Sequence, residues 1–249
     1  MSLVNIEVTD RVATLTLQHP GRRNALTLEL ADALGAAVDQ AEAMGAGAMI
    51  ITGEGEAFCA GADLDELARA EGPELVRVYR SFSKVYQSAI PSIAAVNGPA
   101  VGAGFNLALC CDVILASPDA VFDAGFLRLN VHPGGGASWL LQRRLGLQAA
   151  NAFILFMEKM TGDEAANLGL AWRCVAADQL LPLAREIAAR PASKPPMLMQ
   201  KMRHTLQRME EVDDHGRAIA LELDEQLWSL NQPEAKEAIA ALRQQISGG

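Results

Sequence analysis

Asn97-Gly98-Pro99-Ala100-Val101-Gly102-Ala103-Gly104-Phe105-Asn106-Leu107-Ala108-Leu109-Cys110-Cys111 is the stretch whose reading decides the fold. Ahead of it, Ser92–Val96 is β-branched and alanine-rich, which predicts a short buried strand. After the bend, Phe105–Cys111 is apolar enough to continue as a buried helix. Gly102 and Gly104 remove side chains where strand turns into helix, so the backbone can bend sharply and admit another atom closely. A helix start leaves its first N–H groups without partners, at the positive end of the dipole. The expected product is a site for a negatively charged oxygen. Two other readings compete. One is a strand–turn–helix whose glycines serve only packing. The other is a dinucleotide fingerprint with Asp123 downstream, but Leu107 fills its third glycine position.

A second stretch narrows the choice. Phe58-Cys59-Ala60-Gly61-Ala62-Asp63-Leu64-Asp65-Glu66 follows the apolar run Ala48–Thr52 and a turn at Gly53-Glu54-Gly55. Taken with Asn97–Gly104, this block resembles the crotonase (enoyl-CoA hydratase/isomerase) superfamily. His19-Pro20-Gly21-Arg22-Arg23-Asn24-Ala25-Leu26 is similar to that family's first coenzyme A loop, and Pro133-Gly134-Gly135-Gly136 to its later glycine turn. The resemblance runs from about Val12 to the C-terminus, and four motifs in one order make it specific.

The resemblance implies an α/β fold, a spiral of ββα turns with a C-terminal helical region. Residues 1–195 are expected to form the core with an acyl-CoA site, and residues 196–249 a helical oligomerisation region. It further implies that a thioester oxygen lies between two backbone N–H donors, which fall by motif position on Ala62 and Ala103. Ala60, Gly61, Asp63 and Leu64 then line the adenine and pantetheine path, with Ala25 in the first loop. Arg22 and Arg23 are candidates for the phosphates, because a guanidinium fork suits that geometry. Coenzyme A is carried as part of the substrate, so no separate cofactor is expected.

The side chains depart from the family pattern. Hydratases of the family carry a glutamate three residues past the second donor, where this chain has Asn106. A second glutamate is expected seven residues before the Pro-Gly turn, where this chain has Phe126. Neither residue can accept a proton, and an acid–base group contributes roughly 10²–10⁴ in rate. Asp123 and His132 are the candidate substitutes, with Asp65 and Glu66 as weaker ones. Arg128 is better suited to pairing with an acid than to acting as a base. The expected function is that of an acyl-CoA-processing crotonase-family enzyme, nominally an enoyl-CoA hydratase. The alternatives are an enoyl-CoA isomerase, which needs only one base, and a non-catalytic acyl-CoA-binding protein.

Bulk properties exclude other classes. The chain has 249 residues, half of them hydrophobic, and a formal net charge of −9. Such acidity argues against nucleic acid and against anionic membranes as partners. Val85–Cys111 lacks any charged residue, yet Pro91, Asn97, Gly98 and Pro99 interrupt it, which suits a buried core better than a membrane span. Cys59, Cys110, Cys111 and Cys174 show no metal-ligand spacing, and neither do the four histidines. No basic and apolar leader opens the chain, so a cytoplasmic location with reduced thiols is expected.

The remaining chain reads as alternating elements. Leu3–Thr9 and Arg11–Gln18 predict a hairpin, Thr27–Ala43 a helix, and Pro73–Ser88 another. Asp112–Ala116, Ala120–Phe122 and Ala171–Val175 read as extended. Ser138–Leu145 and Gln148–Met157 read as helices separated by Gly146. No strand signal follows Gln179, and Val212, Ile219, Leu223 and Leu227 form an apolar stripe in the tail, with Leu221, Trp228 and Leu230 on other faces. More apolar surface than the tail can bury on itself implies contact with a neighbour, and the resemblance implies a homotrimer or a hexamer.

Overall fold

A computed structural model describes residues 2–247; Met1 and the last two residues of the expected tail lie outside the described residues. The chain divides into one compact unit that ends at Ser193 and a second that begins at Lys194.

The first unit opens with the hairpin β1 (Val4–Thr9) and β2 (Val12–Leu17), paired antiparallel with Thr9 opposite Val12. Its two-residue connection, Asp10-Arg11, has positive φ at both positions (49° and 62°), the hand of turn that matches strand twist. Helix α1 (Leu28–Ala43) follows, started by Thr27, whose hydroxyl accepts from the Leu30 N–H at 3.1 Å. Its Leu30, Leu34, Val38 and Ala41 recur at helical spacing and are buried. The crossover through α1 places β3 (Ala48–Gly53) parallel to β2, and all six residues of β3 are buried.

Helices α2 (Leu64–Leu67) and α3 (Gly72–Gln87) lead to β4 (Ser92–Val96), then the two-residue β5 (Ala100–Val101) and α4 (Ala103–Cys110). Strands β6 (Val113–Ala116) and β7 (Val121–Asp123), helix α5 (Ala137–Leu155), strand β8 (Lys159–Thr161), helix α6 (Gly162–Asn167), strand β9 (Arg173–Cys174) and helix α7 (Ala177–Ala192) complete the unit. The larger sheet runs β1-β2-β3-β4-β6-β9, and the smaller β5-β7-β8. Leu180, Ala184, Ala188 and Ala192 of α7 cover one face of the larger sheet, packing with Ile50, Ile93 and Leu115. The other face joins α1 and α4 in the main core, around Leu15, Ile51, Phe58, Phe105 and Phe122.

Two differences from the sequence reading have local causes, and one expectation is met. Strands β5 and β8 are two and three residues long, too short to leave a period-2 signature. The two helices expected around Gly146 are present: the run Ala137–Leu155 breaks at Gly146, whose backbone is non-helical (φ 80°, ψ 171°). The strand expected over Ala171–Val175 shrinks to β9, because only Arg173 and Cys174 pair with β6.

In the second unit, helices α8 (Pro196–Met209), α9 (His215–Leu230) and α10 (Pro233–Ser247) follow one another. The Asp214 carboxylate caps α9 by accepting from the Arg217 N–H at 2.9 Å. Ile219, Leu223, Leu227 and Leu230 stand exposed along α9.

Candidate active site

Backbone pairing places the two expected donors. The Cys59 N–H donates to the Pro99 carbonyl (3.1 Å) and the Val101 N–H to the Cys59 carbonyl (3.0 Å), joining the 58–63 segment to β5. On the other side, the Leu26 N–H donates to the Gly61 carbonyl (2.7 Å) and the Asp63 N–H to the Leu26 carbonyl (2.9 Å). This parallel bridge uses the groups flanking Ala62, so the N–H of Ala62 itself points away from Leu26. Ala103 opens α4 after Gly102, which has φ 49° and ψ −111°. The α4 start is pressed against the 58–63 segment: a Cβ on Gly104 would lie 2.1 Å from the Cys59 carbonyl oxygen. Among the described residues, neither the Ala62 N–H nor the Ala103 N–H has an acceptor. Both alanines line one cavity of about 690 Å³.

The coenzyme A candidates separate into two groups. Ala60, Gly61, Asp63 and Leu64 line the cavity, whereas Arg22, Arg23 and Ala25 do not. Arg22 is ion-paired through Nη1 to Asp63 Oδ2, with half of its side chain exposed. Asp63 also caps α2, its Oδ1 accepting from the N–H groups of Asp65 and Glu66 at 3.1 and 3.2 Å. Burial pushes the Asp63 carboxyl up, but Arg22 and these N–H groups outweigh it and hold the group below its ordinary value. Asn24, singled out by no motif, anchors the first loop. Its Nδ2 donates to the carbonyls of Glu54 (2.9 Å) and Ala57 (2.8 Å).

At the far wall, Asn106 is 2 % exposed. Its Nδ2 donates to the carbonyls of Gly134 and Gly135, both at 3.0 Å. Two carbonyls require the nitrogen on that side, so the amide orientation is fixed and Oδ1 is left buried without a partner. Phe126 lines the cavity at the start of a 3-10 turn, Phe126–Leu129. His132 stands exposed at the wall, its Nδ1 2.7 Å from the Pro133 carbonyl.

The structure does not bring Asp123 to the cavity. The sequence reading offered it as an acid–base group, but its buried carboxylate faces Arg128 in a two-pronged pair (2.9 and 2.6 Å), with Lys159 at 3.4 Å. The fork of Arg128 occupies both carboxylate oxygens. Asp65 is exposed on α2, off the cavity, while Glu66 lines it with Oε2 accepting from the Leu28 N–H at 2.7 Å. Tyr79 on α3 also lines the cavity, and sequence reasoning missed it. The only available signal was an amphipathic helix over 73–88, which does not say what its faces meet.

Comparison with known proteins then decides the assignment. The family model described as "Enoyl-CoA hydratase/isomerase" matches residues 7–244. The chain belongs to the enoyl-CoA hydratase/isomerase family. Among similar relatives, the probable enoyl-CoA hydratase EchA14 of Mycobacterium tuberculosis is 42% identical over 248 residues, covering 96% of each chain. The 2,3-dehydroadipyl-CoA hydratase of Escherichia coli is 34% identical, covering 85% of this chain and 84% of its own. An enoyl-CoA hydratase structure from Polaromonas sp. JS666 superposes with a TM-score of 0.89 at 30% identity, covering 97% of both chains. This enoyl-CoA hydratase/isomerase-family chain is thus an α/β protein of the crotonase fold, as its four motifs implied.

Three of the four thiols of this family member are buried, which disfavours the thiolate. Burial pushes Cys59 and Cys110 up to about 12 and Cys111 higher still, and Cys59 does not line the cavity. Among the described residues, no helix is long and apolar enough to cross a membrane.

Proposed function

We propose that the cavity binds an acyl-CoA thioester with its carbonyl oxygen between the N–H groups of Ala62 and Ala103, and that the enolate formed there is an intermediate in enoyl-CoA hydration. The observation that carries this reading is the pair of acceptor-less N–H groups on one cavity wall, each held by pairing of its neighbours. Such a donor is worth about 3–4 kcal/mol of transition-state stabilisation because its dipole is already oriented when charge develops. Main-chain donors also account for alanine at both positions. Coenzyme A would pass along Ala60, Gly61, Asp63 and Leu64, with Arg22 and Arg23 near its phosphates.

Incubating the protein with acyl- and enoyl-CoA esters, followed by mass spectrometry, tests the reading: hydration adds the mass of water. Ala103→Pro removes one donor at the first helical position, where proline is tolerated. Turnover should fall about 10²–10³-fold in a folded variant, and unchanged turnover would refute the assignment. Asn106 and Phe126 favour a second reading, isomerisation, in which retention changes at constant mass. Assembly into a trimer or hexamer through residues 196–249 belongs to the same proposal. The exposed α9 stripe supports it, and a monomer mass by light scattering at micromolar concentration would overturn it.

A further inference from the structure

With Asn106 and Phe126 unable to carry a proton, the cavity needs another group that can, and its wall offers few. Asp63 is tied to Arg22 and two N–H groups, and Arg128 to Asp123. Glu66 and Glu74 each accept from a backbone N–H, of Leu28 and Glu71. His132 stands exposed at the wall with its Nδ1 turned to the Pro133 carbonyl, 2.7 Å away. Among the described residues, Tyr79 carries the only hydroxyl that lines the cavity. Its ring packs on Phe82, with centroids 6.4 Å apart. Its oxygen reaches Gly134, where a Cβ would lie 2.1 Å away, so a side chain there would have to displace the hydroxyl. Gly134 in turn is held by Asn106, one helical turn beyond Ala103.

Resting on the acyl-CoA reading above, we propose that Tyr79 is the acid–base residue of this enzyme, moving a proton between its phenolic oxygen and the thioester α-carbon. In the addition direction, the oxygen of water bonds to the β-carbon and the C=C electron pair moves to the thioester oxygen, held at Ala62 and Ala103. The enolate then re-forms the carbonyl as its α-carbon takes the Tyr79 proton. The phenolate regains a proton from the added water oxygen, so one water is consumed and the enzyme is restored. In reverse, the phenolate removes an α-proton, which makes exchange of that proton rise with pH.

The test is α-proton exchange of butyryl-CoA in D2O, read by mass, with calorimetric binding of the same ester. In the wild type, the ester should bind and exchange, faster as pH rises. Tyr79→Phe, which keeps the ring against Phe82, should bind within twofold and unfold at the same midpoint. Its exchange should drop at least 100-fold and lose its pH dependence, in line with an acid–base group. The chain has only two tyrosines. Fluorotyrosine incorporated in a Tyr86→Phe background should therefore move the pH profile to lower pH through Tyr79 alone. A loss of less than tenfold in Tyr79→Phe, an unmoved fluorotyrosine profile, or a wild type that binds without exchange overturns the proposal. So does Glu66→Gln or His132→Ala abolishing exchange while Tyr79→Phe keeps it. A wild type that fails to bind butyryl-CoA overturns the acyl-CoA reading instead.

Discussion

Replacing Asn106 by aspartate tests the wall of the cavity most directly, because the change is nearly isosteric and the hydrogen bonding inverts. Nδ2 gives two bonds of 3.0 Å to the Gly134 and Gly135 carbonyls, and the side chain is 2 % exposed. An ionised aspartate at this position would set an oxygen against two carbonyl lone pairs in a dry site. A protonated one has a single O–H and restores one bond of the two. The lost bond is worth about 1 kcal/mol. Holding protonated at pH 7 a carboxyl that ionises near pH 4 in the unfolded chain adds about 4 kcal/mol, at 1.36 kcal/mol per pH unit. The folded variant binds its proton more tightly than the unfolded chain, so its stability relative to wild type falls as pH rises. Urea unfolding should thus show a deficit of about 2.5 kcal/mol at pH 5 that grows to about 5 kcal/mol at pH 7. Asn106→Ala, which has nothing to titrate, should show a deficit that does not change with pH. An Asn106→Asp deficit below about 1 kcal/mol at pH 7, or one independent of pH, would show that the two carbonyl bonds do not hold the turn. The same argument applies to Asn106→Glu, which loses both donors. A glutamate here alone would loosen the Pro133–Gly136 turn.

Other consequences are open to simpler measurements. Arg22→Ala with Arg23→Ala should weaken acyl-CoA binding at low ionic strength, with the loss shrinking at high salt; unchanged calorimetric affinity at low salt would remove both from the site. The Asp63 carboxyl, held below its ordinary value, contributes stability that is present above about pH 4 and lost as pH falls through its folded value. Asp63→Asn should therefore be less stable than wild type at neutral pH and nearly equal to it in acid, and a constant difference across a pH series would contradict the pairing. Gly104→Ala drives a Cβ to 2.1 Å from a backbone oxygen that cannot withdraw. It should cost about 3 kcal/mol or more, as overpacking against backbone does, and an unchanged urea midpoint would refute the close approach of α4 to the 58–63 segment.

What the sequence made legible was whatever the backbone does. Gly102 and Gly104 signalled a sharp, close-packed strand-to-helix bend, and the structure shows φ 49° at the first and backbone contact at the second. Periodicity located α1 to within a residue or two, because its buried face repeats at helical spacing, and Pro73 marked the first turn of α3. The cavity-lining members of the Phe58–Glu66 stretch were legible for the same reason, since one segment carries them in order. Pairing between distant segments was not. Nothing local announces that Asn24 holds the 54–57 turn, or that two residues at Ala100–Val101 suffice to pair with Val121–Asp123.

Side-chain direction was the other thing hidden, and Asp123 shows why. Along β7, Phe122 and Asp123 point to opposite faces, and a one-dimensional spacing cannot say which face meets the cavity. The chain then turns at Gly125, with φ 72°, and brings Arg128 back over the carboxylate five residues earlier. An acid that looked available by sequence distance is consumed by a base that the turn returns to it. Tyr79 is the reverse case. It comes from α3, far from any motif, and its only trace near one is the close approach of its oxygen to Gly134. A glycine in a turn suggests a backbone conformation, yet at Gly134 the neighbour is another segment's hydroxyl. The glycine-bearing backbone segments therefore follow a legible pattern, while Tyr79, proposed above to move a proton, comes from an element that no motif marks.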